Sequence, residues 1–393
     1  MGSVHELPDS TSIDLHLSHP TPDECVKIWT NTFDSWKDSL TLPAFLTESK
    51  FLTTIPLAMD GGMTTWILVD KNLPPDKRPI LCSCETFRKR ALMSDACGNV
   101  QQVLVHGIAS VFCPSEYRRR GCAARLMREV AEVLRNWQSE HGKCVGSVLY
   151  SDIGKKYYAK LGWIPDVNNS HLVFPSGEID WPAEVRQVAE EHLKELCSKD
   201  ELMIQAAMAT PDPTVERRLI ILPDLDHMLW HIGKEDFATQ CIFGKVPQAK
   251  GAIAGSPGKQ VWAIWTHRYY SHPDEKTYDN VLYILRLVIE GDETANKVLC
   301  DNKLWGDLGN AEQAASLKAV LQASQAEAAA WQLDRVKLWK PSVLVQSLVS
   351  QSGLGYVEVE REQESVASGM WYGDDGGMAE APAWINNEHY AWC

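Results

Sequence analysis

The junction between residues 103 and 141 restricts the fold of this chain more than any other feature. A strand-like apolar run at residues 103–113 ends at Pro114, and a loop containing Arg118 and Gly121 leads into an amphipathic helix predicted for residues 122–141. The first amides and the positive end of that helix point at one spot, which suits a pyrophosphate group. For the loop alone, a plain strand, turn and helix with a solvated basic turn remains an alternative.

The elements around this junction indicate a compact α/β (α+β) unit. Turn sequences such as Asp60-Gly61-Gly62 separate the strand-like runs. We predict further strands at residues 13–17, 64–70, 79–87 and 144–150, and helices at residues 22–36 and 154–161.

The second half of the chain repeats part of this order, which predicts a second, degenerate copy of the same fold. We predict its strands at residues 260–269, 280–290 and 336–340, and its helices at residues 311–332 and 342–352. It lacks the short glycine loop between its long strand and its long helix, where roughly twenty residues intervene instead of a few. We divide the chain into a first domain of residues 1–170, a helical linker of residues 171–213 and a second domain of residues 214–393.

Composition narrows the classes of partner. The formal charge of −14, from 52 acidic and 38 basic residues, argues against a nucleic-acid-binding protein and suits a cationic small molecule. The 11 cysteines show no repeated metal-ligand spacing, so we predict no metal site. Because no apolar run reaches membrane-spanning length, we expect no membrane partner and a cytoplasmic location. The sequence predicts nothing about the oligomeric state.

Two motifs in this frame resemble a known superfamily. Arg118-x-x-Gly121-x-Ala123 after the strand is similar to motif A of the GNAT superfamily of N-acetyltransferases, and Tyr158-x-x-x-Gly162-Trp163 is similar to motif B. The segment Leu149-Tyr-Ser-Asp-Ile-Gly154, the long second half and the ending Glu388-His-Tyr-Ala-Trp-Cys393 resemble, more narrowly, the fungal lysine N6-acetyltransferases. The resemblance implies a GNAT fold with a splayed mixed sheet, followed by a second GNAT-like domain.

The resemblance also implies acetyl-CoA as co-substrate, bound where the fourth and fifth strands splay apart. The residues implied to contact it are Val111, Phe112, Cys113, Arg118, Arg119, Arg120, Gly121, Cys122, Ala123, Ala124, Ser151 and Tyr158. Cys122 and Ala123 replace the more glycine-rich form of the loop. Ser151 stands where many GNAT relatives carry Asn, which leaves that contact open.

Direct attack by an amine needs an acid for the departing thiolate and a base for the ammonium group. The resemblance assigns the acid to Tyr158, the motif B tyrosine, and a buried structural tyrosine is the alternative. Three candidates for the base stay open: His106, Glu85 and the terminal carboxylate of Cys393. For His106 and Glu85, the alternative is a half-buried side chain with a structural role.

The narrower resemblance implies the N6 amine of free lysine as substrate and a role in lysine catabolism. A polyamine, a xenobiotic amine, a secondary metabolite or lysine in a protein are alternative substrates. A non-catalytic CoA-binding protein is the alternative of another class.

Overall fold

The computed structural model describes residues 8–277, 279–291 and 309–392. Its strands are β1 (Leu15–Ser18), β2 (Met63–Asp70), β3 (Cys82–Asp95), β4 (Val100–Phe112), β5 (Cys144–Ser151), β6 (Ile164–Pro165), β7 (Ser170–Pro175), β8 (Arg186–Val188), β9 (Arg217–Ile221), β10 (Gly251–Ala254), β11 (Val261–Arg268), β12 (Val281–Ile289), β13 (Arg335–Trp339), β14 (Val357–Glu360), β15 (Val366–Trp371) and β16 (Ala383–Trp384). Its helices are α1 (Pro22–Trp36), α2 (Leu42–Leu52), α3 (Cys122–Leu134), α4 (Lys156–Ala159), α5 (Glu190–Met208), α6 (Leu225–Phe243), α7 (Ala311–Ala330) and α8 (Val343–Ser352).

The first sheet is mixed and has the order β1-β2-β3-β4-β5-β15-β6, with β9 paired to the end of β3 and β16 paired to β9. Neighbours are antiparallel except β4 with β5 and β16 with β9. Helix α3 packs on this sheet through Leu126, Met127, Val130 and Leu134, which are fully buried. Apolar residues at this helical spacing bury one face of the helix, as the sequence pattern predicts.

The second sheet has the order β14-β7-β13-β12-β11-β10-β8, and its one parallel pair is β12 with β13. The order β12, α7, β13, α8 repeats that of β4, α3, β5, α4 in the first sheet. This repeat confirms the prediction of a second GNAT-like unit, and the comparisons below support it independently.

The two sheets exchange strands along the chain. Strands β9, β15 and β16 come from the second half of the sequence and pair within the first sheet. Residues 170–175 and 186–188 form β7 and β8 of the second sheet, in and beside the stretch predicted as a helical linker. The division into residues 1–170, 171–213 and 214–393 therefore stays a prediction about domains. Each sheet contains strands from more than one of these three segments.

Candidate active site

The centre of the candidate site is a fork between β4 and β5. Their parallel pairing ends at Ile108 and Leu149. Past this point β4 pairs only with β3, whereas β5 pairs with β15. The edges of β4 and β5 that face each other therefore lose their ladder partners within the described structure, and main-chain groups at the fork are free to bind a ligand.

The outer end of β4 carries an irregular residue that shapes the fork. The pairing of β4 with β3 shifts register between Ser83 and Glu85, and Ser110 adopts a left-handed conformation with φ +53°. A non-glycine residue at positive φ is strained, and such strain concentrates at functional sites. Here it places the Ser110 hydroxyl 2.7 Å from a carboxylate oxygen of Glu85, to which it donates a hydrogen bond. Val111, Phe112 and Cys113 follow, half-buried.

The loop after β4 brings the chain to the start of α3 in a tight turn. Arg119 and Gly121 both have positive φ, +64° and +83°. Gly121 is the N-cap residue of α3, and no side chain caps the helix. A Cβ at position 121 would lie 2.6 Å from Oγ of Ser10, so the Ser10 side chain would have to turn away to admit one. Uncapped amides at a helix N-terminus bind anions.

Positive charge surrounds this helix end. Arg118, Arg119 and Arg120 are exposed. Nε of Arg118 donates to the carbonyl of Cys113 at 2.9 Å, and its guanidinium lies over the Phe112 ring at 5.8 Å. The arginine loop is thus fixed to the open end of β4 and still faces solvent, where a phosphate chain can reach it.

The first turn of α3 is small and partly apolar. Cys122 is buried, and Ala123 and Ala124 are half-buried. A hydrogen bond with the Cys82 thiol lowers the pKa of the neighbouring Cys113 thiol, and burial raises the pKa of Cys122. Side chains no larger than these leave the helix tip open to a close approach of ligand oxygens.

At the end of β5 lies Ser151, whose side chain is used for local structure. Its hydroxyl donates to the carbonyl of Gly154 at 2.8 Å and accepts from the amide of Ile153 at 3.2 Å. The side chain is buried. It therefore holds the turn between β5 and α4, and a role in cofactor binding stays a prediction.

Tyr158 projects from the short helix α4 into the core beside α3. It is buried, and burial raises the pKa of its hydroxyl well above the usual range. The hydroxyl makes no hydrogen bond with another described residue, whereas most buried tyrosine hydroxyls have a partner. Tyr157 packs against it edge to face, with ring centroids 5.1 Å apart, and is only half-buried.

The structure places the candidate bases in different surroundings. Glu85 lies at the fork, where burial raises the pKa of its carboxyl, and the hydrogen bond from Ser110 and the charge of Lys234 of α6 partly oppose this. His106 lies deeper on β4, and its ring nitrogens contact Sγ of Cys144 and Oε1 of Gln138, both at 3.3 Å. Burial lowers the pKa of His106 to about 4. Cys393 lies outside the described residues.

Elements from the second half of the chain approach the fork on the side of Glu85. Arg268 at the end of β11 forms an ion pair with Asp38 at 2.9 Å, and Lys234 forms one with Glu48 of α2 at 2.9 Å. Asp38 follows Trp36, whose ring meets the Phe112 ring at 5.8 Å. Sequence reasoning missed these residues because they lie far apart in the chain and belong to no spaced motif.

The second sheet contains a comparable fork, in which Glu388 of the same chain binds one main-chain amide and beside which a cavity of about 480 Å³ remains. Pairing of β12 with β13 ends at Ile284 and Leu338, although β12 continues to Ile289. The Glu388 carboxylate accepts from the amide of Leu287 at 2.8 Å. Buried Arg286 binds the same carboxylate and also that of Asp200.

Two further observations concern the described part of the chain. It contains no group of three or more His, Cys, Asp or Glu side chains arranged to hold a metal ion. None of its helices combines the length and the apolar character needed to cross a membrane.

Residues 171–393, more than half of the chain, match the family model described as the LYC1 GNAT-like C-terminal domain. The chain belongs to this family. The match covers the second sheet and also β9, β15 and β16 of the first sheet. The matched region therefore contributes strands to the same sheet that contains the fork.

A curated relative is the "Lysine acetyltransferase" of Yarrowia lipolytica, which is 21% identical over 229 residues. That alignment covers 48% of this chain and 57% of the relative, so the chain spans little more than half the length of the relative it matches.

Solved structures show the fold. A GCN5-related N-acetyltransferase from Anabaena variabilis is similar with a TM-score of 0.50 at 15% identity, over 91% of this chain and 72% of that chain. A conserved protein from Enterococcus faecalis gives the same TM-score and coverages at 10% identity. The chain therefore has the GNAT fold with a splayed mixed sheet, as the sequence motifs predict.

Proposed function

We propose that this protein is an acetyl-CoA-dependent N-acetyltransferase whose substrate is the N6 amine of free lysine, attacking directly in a ternary complex. The fork carries the proposal, because it joins unpaired main chain, an uncapped helix end and Glu85 at one place. The name of the Yarrowia lipolytica relative supports lysine as the amine.

The residues at the fork fit a CoA thioester. The amides of the first turn of α3, beside Gly121, and the three arginines of the loop would bind the diphosphate. Main-chain groups of Val111, Phe112 and Cys113 would bind the pantetheine arm and orient the thioester carbonyl. Acetyl-CoA, when bound, supplies the acetyl group as an activated thioester.

Glu85 is the base in this proposal. A lysine ammonium must lose a proton before it attacks, and a base works best when its pKa lies near the working pH. Burial moves the pKa of Glu85 in that direction, and the Ser110 hydrogen bond fixes the carboxylate at the fork. His106 is a weaker candidate, because its ring nitrogens already contact Cys144 of β5 and Gln138 of the turn after α3.

Tyr158 is the acid in this proposal. Its high pKa keeps the hydroxyl protonated, so it is able to give a proton to a departing thiolate. The absence of a hydrogen-bond partner among the described residues leaves that proton available. Tyr157 lies one position out of register with the motif.

A closed substrate side supports a small amine over a protein. Helix α6 and strand β11 reach the fork from the second half of the chain through Lys234 and Arg268. A protein substrate needs an open groove beside the acetyl group. A cytoplasmic location and a role in lysine catabolism belong to the same proposal.

The test is acetyl transfer across an amine panel. Purified protein with acetyl-CoA is offered L-lysine, spermidine and a lysine-containing peptide, and thiol release and product mass are followed. We expect L-lysine to react fastest and fragmentation to place the acetyl group on N6. Faster reaction of the peptide would indicate a protein acetyltransferase, and no release above hydrolysis with any amine would refute the proposal.

A further inference from the structure

A desolvated ion pair on the substrate side of the fork has unused bonding capacity. One Nη of Arg268 forms an ion pair with Asp38 at 2.9 Å, and the arginine side chain is only 17% exposed. Its Nε is buried and has no hydrogen-bond partner among the described residues. The second carboxylate oxygen of Asp38 makes no hydrogen bond with a described residue and is not fully buried, so a donor on a ligand can reach it. Unsatisfied buried donors cost free energy, so they are rare unless a ligand completes them.

The guanidinium group is held in one orientation. The rings of Tyr270 and Trp392 each lie 5.4 Å from it. Trp392 is itself fixed by stacking on His389, with the two rings inclined by 13°. A small cavity lies at this place, and Lys234, Arg268, Tyr270, Tyr283 and Trp392 are among the residues that line it.

This cavity lies beside the acetyl-transfer fork. Trp36, whose ring meets Phe112 of β4, is two residues before Asp38. At the other strand of the fork, Asp152 follows β5 directly and is close enough to Arg268 to interact electrostatically. The ion pair thus lies on the side of the fork where both splayed strands end.

We infer that Arg268 and Asp38 bind the α-carboxylate and the α-ammonium group of a free amino acid, which makes them specificity-determining residues. The substrate carboxylate accepts from Nε of Arg268, and the α-ammonium group donates to the second oxygen of Asp38. The side-chain amine then extends toward Glu85. This inference rests on the proposed function and deepens it, because it selects α-amino acids over polyamines and over lysine within a peptide.

The charge of the cavity lining agrees with the carboxylate part of this assignment. Lys234 and Arg268 line the cavity together with one carboxylate, that of Glu235, so a ligand carboxylate meets positive charge there.

Equilibrium titration without acetyl-CoA tests the inference separately from catalysis. L-lysine, L-norleucine and 1,5-diaminopentane are titrated into the full chain and into R268Q, D38N and the control R186Q, whose arginine is exposed on β8. We expect L-lysine and L-norleucine to compete for one site, and R268Q and D38N to weaken both by about 10-fold or more. The diamine 1,5-diaminopentane is lysine without its carboxylate. We expect it to bind weakly, and its binding to be insensitive to R268Q.

Two results would overturn the inference: L-lysine binding unchanged in R268Q, or equal losses for lysine and the diamine. Coenzyme A titration of each variant shows whether its fork remains folded, and D38N provides a second, milder change. Should lysine binding depend on Arg268 while no amine is acetylated, the clamp stands and the proposed activity fails. Should lysine be acetylated equally well by R268Q, the activity stands and the clamp fails.

Discussion

Glu85 is the residue whose protonation the proposed chemistry depends on. Its carboxylate form is required, and burial raises its pKa, so the rate should fall as the pH falls through that raised pKa. Glu85→Gln removes the base and should lower kcat by about 100-fold or more while flattening the acid side of the pH profile. Glu132→Gln, on the exposed face of α3, is the control. An unchanged pH profile in Glu85→Gln would assign the base elsewhere.

The neighbouring tyrosines of α4 form a matched pair for the acid role. Tyr158→Phe removes the hydroxyl without creating a cavity and should reduce kcat by about 100-fold, with little change in KM. Tyr157→Phe should stay within a few-fold of the wild type. Single-turnover rates measure the chemical step directly, and equal rates for the two variants would contradict the assignment.

At the scale of elements, the β4–α3 junction combines backbone strain with ligand binding. Gly121→Val places a side chain at φ +83° and against Ser10, and Gly353→Val imposes similar strain at φ +71° after α8, with open space around it. Both should lose about 1–2 kcal/mol of stability from the left-handed conformation. Only Gly121→Val should raise KM for acetyl-CoA, by about 10-fold or more. Equal KM values would remove the junction from the binding site.

Local patterns predict the elements at this junction well, and distant contacts decide the rest. The run at residues 103–113 becomes β4, and Gly121 begins the predicted helix. We predict that helix to continue to residue 141, but it ends at Leu134 and the chain goes on in turns, in which Gln138 has φ +58° and its side chain donates to the carbonyl of Gly61. The fork also depends on the pairing of β15 with β5. These two strands lie far apart in the sequence, so no local pattern predicts that they pair.

At the scale of the whole molecule, a buried ionic cluster joins α6 to the second sheet. Glu235 accepts from both the amide and Nδ1 of His267 at 2.6 Å, and Lys250 binds the same carboxylate. Burial disfavours the charged form of His267. The carboxylates of Glu235 and Glu327 outweigh this effect and raise the pKa of His267 from 6.5 to about 9.

The raised pKa makes stability depend on pH. A group whose pKa is higher in the folded state stabilises it fully below the unfolded pKa and loses that effect as pH rises through the folded pKa. We expect the free energy of unfolding to fall between pH 6.5 and about 9, by an amount on the order of 3 kcal/mol. Denaturant titrations of the wild type and His267→Gln at several pH values measure it. A slope retained in His267→Gln would show that other groups cause it.

The most direct test of the fork is the stoichiometry of coenzyme A binding by calorimetry. Two GNAT-like units are present, but in the second unit Glu388 already binds the Leu287 amide and the Asn310 side chain caps helix α7, so the account predicts one molecule bound per chain. Gly121→Val should weaken that binding strongly and Gly353→Val should not. Absence of binding heat, or two equivalent sites per chain, would contradict the assignment of the β4–β5 fork as the cofactor site.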